Sequence, residues 1–425
     1  MLDKVLDVTV GRWSERIREE LNLPIQLSLP SGKAYNLGDS PTPKVALRVN
    51  HSEALSALLE PSLDTLGEAY IRAHIDIDGD LSDVVRVAYQ LTSSSVKKPS
   101  AVARLARRFS HTRKDDKDAV QYHYDVSNDF YRLWLDERMV YSCAYFEDGN
   151  ETLEAAQLKK IDHILNKIRI APGNTLLDIG CGWGALVIRA AQRFGVKCVG
   201  VTLSERQLAL GRQRVEQAGL TDLIELRLQD YRDVKGVFDR ITSVGMFEHV
   251  GLANLPSYFR TVGNLLAEDG IALNHGITST DAQSGDTPFG GGTFIDRYVF
   301  PAGELPHLSL AIQAMQEGGL EVLDVENLRR HYAQTLREWT TRYERNGEAI
   351  RRLVGEEKYR IWRVYLAGCA YAFEVDNVAI FQVLCQRSRQ SADAIPRARR
   401  YMYSPYSLAR QPSDTTERNA TAEVQ

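Results

Sequence analysis

Short apolar runs alternate with stretches of helical spacing between about residue 119 and residue 387 of this 425-residue chain. The runs are TLLDIG (175–180), VKCVGVTL (196–203), LIELRLQD (223–230), FDRITSVG (238–245) and GIALNHGI (270–277). Strand-like runs separated by helices predict a doubly wound, largely parallel α/β sheet of the Rossmann-like kind. Residues 1–95 follow a different pattern. SEALSALLE reads as a short amphipathic helix, and LGEAYIRAHIDIDGDL mixes helical and extended spacing around a turn, which predicts a smaller α+β accessory domain. Between the two units, residues 96–118 contain SAVARLARRFSHTRK. There Val102, Leu105, Ala106 and Phe109 recur at i, i+3, i+4 and i+7, with Arg104, Arg107 and Arg108 between them. That spacing predicts an amphipathic linker helix. Residues 119–395 form the expected catalytic domain, and residues 396–425, polar and aperiodic, are expected to be disordered.

Charge changes this picture in one place. The net charge is −4, so no global basic field points to nucleic acid. From Lys97 to Lys114, however, there are seven Lys or Arg and no acid. A helix of this kind can lie on an anionic membrane with its stripe down and its cations near the headgroups. The alternative is a solvated linker that packs its stripe on the protein. Cys143, Cys181, Cys198, Cys369 and Cys385 lack paired metal spacing and are odd in number, which fits reduced thiols in a cytoplasm and no metal. MLDKVLDVTVGRW lacks the apolar core of a signal peptide, and no stretch approaches the roughly 20 apolar residues of a membrane span. Any membrane contact is therefore expected from the cytoplasmic surface.

The candidate chemistry starts at LLDIGCGWG. Leu176–Ile179 would be the first strand, and Gly180, Gly182 and Gly184 permit a tight turn into a helix N-terminus. The spacing is G-x-G-x-G, not the dinucleotide G-x-G-x-x-G, and Asp178 precedes it by two residues. An acid there would repel a pyrophosphate. It suits a cationic ligand part, such as the amino group of a methionine moiety. Thr202, with Ser204, Glu205 and Gln207 behind it, follows the second strand, and Asp230 and Tyr231 follow the third, where they could cover an adenine. Glu248 follows the fourth strand and His275 ends the fifth, so both fall on the same carboxyl edge as Asp178.

With the words YHYDVSNDFY, YSCAYF, NKIRIAPG, VGVTLSERQ, QDYRD, SVGMFEHVG and DRYVFP, the chain resembles the cyclopropane fatty acid synthase family and its mycolic acid relatives over roughly residues 121–387. The resemblance implies a class I S-adenosylmethionine-dependent methyltransferase acting on an unsaturated acyl chain of a membrane phospholipid. The methyl carbon of the cofactor adds across a cis double bond, and proton loss from it closes a cyclopropane. The family holds a bicarbonate ion as base, and the residues assigned to it match Cys143, Glu248, His249, His275, Ile277 (through its backbone) and Tyr332. Tyr141 and Ser142 match cofactor contacts. Tyr298 and Phe247 are expected on the acyl channel. The family's descriptions have also given the Cys369 position an active-site role, although a bicarbonate base removes the need for a thiolate. The accessory domain suggests a homodimer. Three other outcomes stay open: a methyl-branched or methylene product of the same family, methyl transfer to a small polar acceptor, and a lipid- or nucleotide-binding module without catalysis.

Overall fold

The computed structural model describes residues 2–92, 126–281, 294, 297–299, 304–389 and 395–403. The basic segment with Arg104, Arg107 and Arg108 lies outside the described residues, as do residues 404–425.

The N-terminal unit begins with α1 (Leu2–Leu21), followed by β1 (Ile25–Ser28), β2 (Ala34–Asn36) and β3 (Val45–Val49). Helices α2 (Ala54–Leu59) and α3 (Leu63–Ile71), strand β4 (Ile75–Gly79) and helix α4 (Leu81–Thr92) complete it. The four strands form one sheet in the order β2-β1-β3-β4. Alternating residues of β3 are buried and exposed, as expected for a sheet with one covered face. Ser62 caps α3 in a reciprocal capping box with Thr65, which fixes where that helix starts.

The second unit opens with α5 (Asn128–Arg132) and α6 (Leu153–Lys167). The alternation then runs β5 (Thr175–Ile179), α7 (Ala185–Phe194), β6 (Lys197–Thr202), α8 (Glu205–Gln217), β7 (Ile224–Leu228), β8 (Phe238–Val244), α9 (Leu255–Leu265) and β9 (Leu266–Ser279). It closes with α10 (Leu308–Glu317), β10 (Leu320–Asn327), α11 (Arg329–Arg345), α12 (Gly347–Glu374, interrupted at Gly355), β11 (Val378–Arg387) and α13 (Arg400–Tyr403). All five expected strands are present. The sheet adds two more in the order β10-β11-β9-β8-β5-β6-β7, with β11 antiparallel to both of its neighbours. The antiparallel β11 extends β9 beyond its parallel partner β8. His275 therefore pairs with Val244 at the end of β8 but does not end its own strand, which runs on to Ser279.

The two units meet along α12. Arg360 pairs with Asp76 at 2.7 Å and donates to the Tyr70 carbonyl, while Arg363 donates to the Tyr70 hydroxyl at 2.8 Å. The ordered chain also extends further than its polarity suggests. The Met402 carbonyl lies 3.2 Å from His163 Nδ1, and the Tyr401 hydroxyl donates to the Lys167 carbonyl. The expected disorder is corrected for residues 396–403 alone: residues 395–403 pack back on α6 because Met402 enters the core beside it.

Candidate active site

The glycine turn lies where the sequence puts it. Gly180, Gly182 and Gly184 all adopt positive φ (80°, 55° and 83°), a region that side chains with a Cβ enter only at a cost. The amides of Gly180 and Cys181 both donate to the Val201 carbonyl, which fastens the turn to the end of β6. Asp178, just before it, is 3% exposed and accepts from the Thr242 hydroxyl at 2.7 Å. Burial pushes its carboxyl up to about 6, against the pull of that bond and of the Lys160 charge.

A cavity opens above this turn. Its wall includes Tyr141, Ser142, Asp178, Gly180, Gly182, Thr202, Gln207, Asp230 and Tyr231. The expected cofactor residues therefore converge, apart from Gly184, which instead forms the N-terminal boundary of α7 and is not on the cavity wall. Thr202 donates to Gln207 Oε1 at 2.9 Å, and Ser204 caps α8 by accepting from the Gln207 amide. Asp230 is neutralised by Arg232 at 2.6 Å and caps the short turn that carries Tyr231. Across the cavity, α6 holds the segment with Tyr141 and Ser142. Gln157 donates to the carbonyls of Val140 and Ser142, and Lys160, three residues further along the helix, donates to Ser142 Oγ at 2.8 Å. Lys160 was missed in the sequence. Its signal was a lysine at the phase of Leu153, Ala156 and Ile164, on the buried side of the helix.

The residues expected to hold the base sit beside this cavity and not on its wall, although their chain neighbours Ser142 and His249 are on it. Glu248, in a tight helical turn after β8, accepts the Ile277 amide on Oε1 at 2.7 Å. The Ile277 backbone group thus anchors the acid, and Glu248 Oε2 is buried with no hydrogen-bond partner among the described residues. Burial pushes Glu248 up to about 7. His275, two residues before Ile277, shares its strand face. Gln382 on β11 donates to His275 Nδ1 at 3.3 Å, which leaves the ring proton on Nε2, also buried and, among the described residues, without a partner. Burial, with the nearby cations Lys160 and Lys167, holds His275 well below its usual value, so the ring is neutral. Cys143 and Tyr332 belong to one core cluster against which Ile277 packs. The Cys143 thiol donates to the Ala144 carbonyl at 3.2 Å, and burial raises it far out of the thiolate range.

Three further residues named from the sequence lie off the cofactor cavity. Phe247 is 2% exposed and packs against Gly276 in the core, off the wall of the cofactor cavity. The Tyr298 hydroxyl donates to Glu68 on α3 at 2.7 Å, and its ring packs against Phe294, which ties it to the N-terminal unit. Cys369 sits beside Tyr365 and Tyr89, where α12 meets α4, with its thiol pushed up to about 12 by burial. Neither Tyr298 nor Cys369 is on the cavity wall. These placements depend on contacts between units that no local pattern encodes.

The family described as mycolic acid cyclopropane synthetase matches residues 111–383. The chain belongs to this family. A domain of unknown function matches residues 12–100. The chain is 45% identical to a probable fatty acid methyltransferase of Pseudomonas putida, over 86% of this chain and 92% of that protein. It is 34% identical to the cyclopropane-fatty-acyl-phospholipid synthase of Escherichia coli K12, over 83% of this chain and 90% of that protein. A solved mycolic acid cyclopropane synthase complexed with SAH and CTAB superposes with a TM-score of 0.61 at 36% identity, covering 64% of this chain and 98% of that one. The mycolic acid cyclopropane synthetase family thus fixes the class. Its members are S-adenosylmethionine-dependent cyclopropane and fatty acid methyltransferases, and the sheet described above is their class I methyltransferase fold. No helix among the described residues is long and apolar enough to cross a membrane.

The buried carboxyl of this family member gives a signed pH dependence. Glu248 is raised when folded, so the native state holds a proton that the unfolded chain releases above its ordinary value of 4.5. Native stability is therefore lost as pH rises towards and through 7. Urea unfolding of wild type and Glu248→Gln at pH 5.5 and pH 8 should show wild type losing about 2 kcal/mol more than the variant. Parallel changes in the two proteins would remove Glu248 as a buried titrating group.

Proposed function

We propose that this chain is a cyclopropane-fatty-acyl-phospholipid synthase, transferring a methylene from S-adenosylmethionine to the cis double bond of an unsaturated phospholipid. The observation that carries this reading is the pair of orphaned buried atoms, Glu248 Oε2 and His275 Nε2, beside the Asp178 cavity. One is an acceptor when Glu248 is ionised and the other is a donor. Together they fit a small oxyanion that carries its own proton, as hydrogencarbonate does. The cofactor supplies an electrophilic methyl carbon, and bound hydrogencarbonate supplies a base.

The chain's own residues account for the rest. Asp178 and the glycine turn hold the amino end of the cofactor, and Thr202, Gln207, Asp230 and Tyr231 surround its nucleoside part. Glu248, pinned by the Ile277 amide, and His275, pinned by Gln382, orient the small anion and set its proton affinity. The Cys143 thiol stays protonated and acts as a donor, not a base. Apolar and aromatic walls from the cluster of Tyr131, Trp134, Tyr332, Trp339 and Trp362 exclude water from the acyl chain. Their ring faces stabilise positive charge developing on it, by about 1–2 kcal/mol per dry contact.

A second reading, methyl transfer followed by a hydride shift and proton loss elsewhere to leave a methylated unsaturated chain, is favoured by the 45% identity to the protein named a probable fatty acid methyltransferase. Both products leave S-adenosylhomocysteine, so only the lipid separates them. Incubation with unsaturated phospholipid vesicles and methyl-labelled cofactor should place the label in upfield cyclopropane proton resonances. Label in an allylic or vinylic methyl group would select the second reading. The proposal includes attachment to the cytoplasmic membrane face through Arg104, Arg107 and Arg108, and a homodimer. Vesicle binding by the first of these should weaken as salt is raised.

A further inference from the structure

The cofactor cavity carries a buried cation that neither the glycine turn nor the small-anion set employs. Lys160 is 2% exposed and lines the cavity together with Ser142 and Asp178. An ammonium has three N–H donors. One goes to Ser142 Oγ at 2.8 Å, and among the described residues no carboxylate comes within ion-pair distance of Nζ. Asp136 and Asp178 act on it only through space, and burial pushes it down to about 8. Asp136 is committed to the amides of Arg138 and Val140. A buried charge in this condition becomes favourable once an anion pairs with it.

The cavity's other charges narrow the choice of anion. Asp230 is already neutralised by Arg232, which leaves Asp178 and Lys160 as opposite charges on one wall. Each acts on the other electrostatically without touching it. A ligand that presents an ammonium and a carboxylate one carbon apart satisfies both. We propose that Lys160 binds the α-carboxylate of the methionine part of the cofactor, so that Asp178 and Lys160 clamp the two charges of one amino-acid group. Ser142 completes the clamp. Its oxygen accepts from Lys160, which leaves its own O–H as a donor to the same carboxylate, and Gln157 fixes its backbone. Lys160 is thus a positioning residue, because a fixed amino-acid tail fixes the sulfonium to which it is joined. The inference rests on the family's S-adenosylmethionine cofactor and not on the identity of the lipid product.

The test is calorimetric titration with S-adenosylhomocysteine and with its decarboxylated analogue, which keeps the amine, thioether and adenosine. Wild type should bind the former roughly 10- to 100-fold more tightly. Lys160→Met should remove that preference by weakening S-adenosylhomocysteine alone, and Lys160→Arg should keep part of it. Equal affinity of wild type for both ligands overturns the proposal, and this reading needs no variant to fold. So does an equal loss of both ligands in Lys160→Met, which would mean that Lys160 only props the Ser142 segment. A third arm adds hydrogencarbonate. If it tightens binding of the decarboxylated analogue to wild type but not to Lys160→Met, the free ion occupies Lys160 and the proposal falls. Selective binding of S-adenosylhomocysteine together with vesicles that yield no labelled lipid would sink the lipid reaction and leave the Lys160 assignment standing.

Discussion

Glu248→Gln is expected to lower turnover by roughly 10²- to 10⁴-fold, the range that a positioned acid–base system supplies, while S-adenosylhomocysteine affinity changes little. The separation follows from geometry. Glutamine keeps an oxygen where Oε1 accepts the Ile277 amide, so the turn after β8 and the strand stay joined. It replaces Oε2, the buried oxygen without a partner, with an NH2 group that only donates. A small anion would then face two donors, His275 Nε2 and the new amide, and its own proton would have no acceptor. The cofactor's wall is formed by other residues and is left intact. Single-turnover measurements with labelled cofactor, alongside calorimetry with S-adenosylhomocysteine, check both halves. Wild-type turnover in the variant would remove Glu248 from the chemistry, and a parallel loss of cofactor binding would make its role structural.

The largest expected effect on stability belongs to a residue with no chemistry. A Cβ on Gly276 would lie 1.6 Å from Phe247 Cε1 and 2.1 Å from Cδ1. The ring is 2% exposed and buried in a core cluster, so it has nowhere to go. Gly276→Ala should therefore cost about 3 kcal/mol or more, at the upper end of overpacking effects. It should also lower activity, because Phe247 shares its turn with Glu248, and Gly276 lies between His275 and Ile277. Urea unfolding gives the first quantity. Adding Phe247→Leu to Gly276→Ala should recover part of the loss, a coupling expected only for residues in contact. An unchanged midpoint in the single variant would mean that strand and turn can separate without penalty.

These two residues also show how far the sequence can be read. Glu248 was legible because strand periodicity locates the carboxyl edge of a parallel sheet and the family word surrounds it. Gly276 was not, because its requirement comes from a ring on the turn after the neighbouring strand. The same division runs through the cavity. Asp178, Gly180 and Gly182 lie within one strand and one turn, where backbone conformation and spacing are local. Lys160 lies on the buried side of its helix, and only its bond to Ser142 and its place on the cavity wall make it a site feature.

By itself the sequence determined the alternating strand and helix order, the glycine turn with its acid, and the carboxyl edge on which Asp178, Glu248 and His275 fall. Each of these depends on periodicity or on conformational limits that act over a few residues. Tertiary structure decided the rest. It placed antiparallel β11 against β9, committed the Ile277 amide to Glu248, bonded Tyr298 to Glu68, and brought a buried lysine to the cavity that the acid lines. All four join segments far apart in the chain, through burial and hydrogen-bond satisfaction that exist only once the layers have closed.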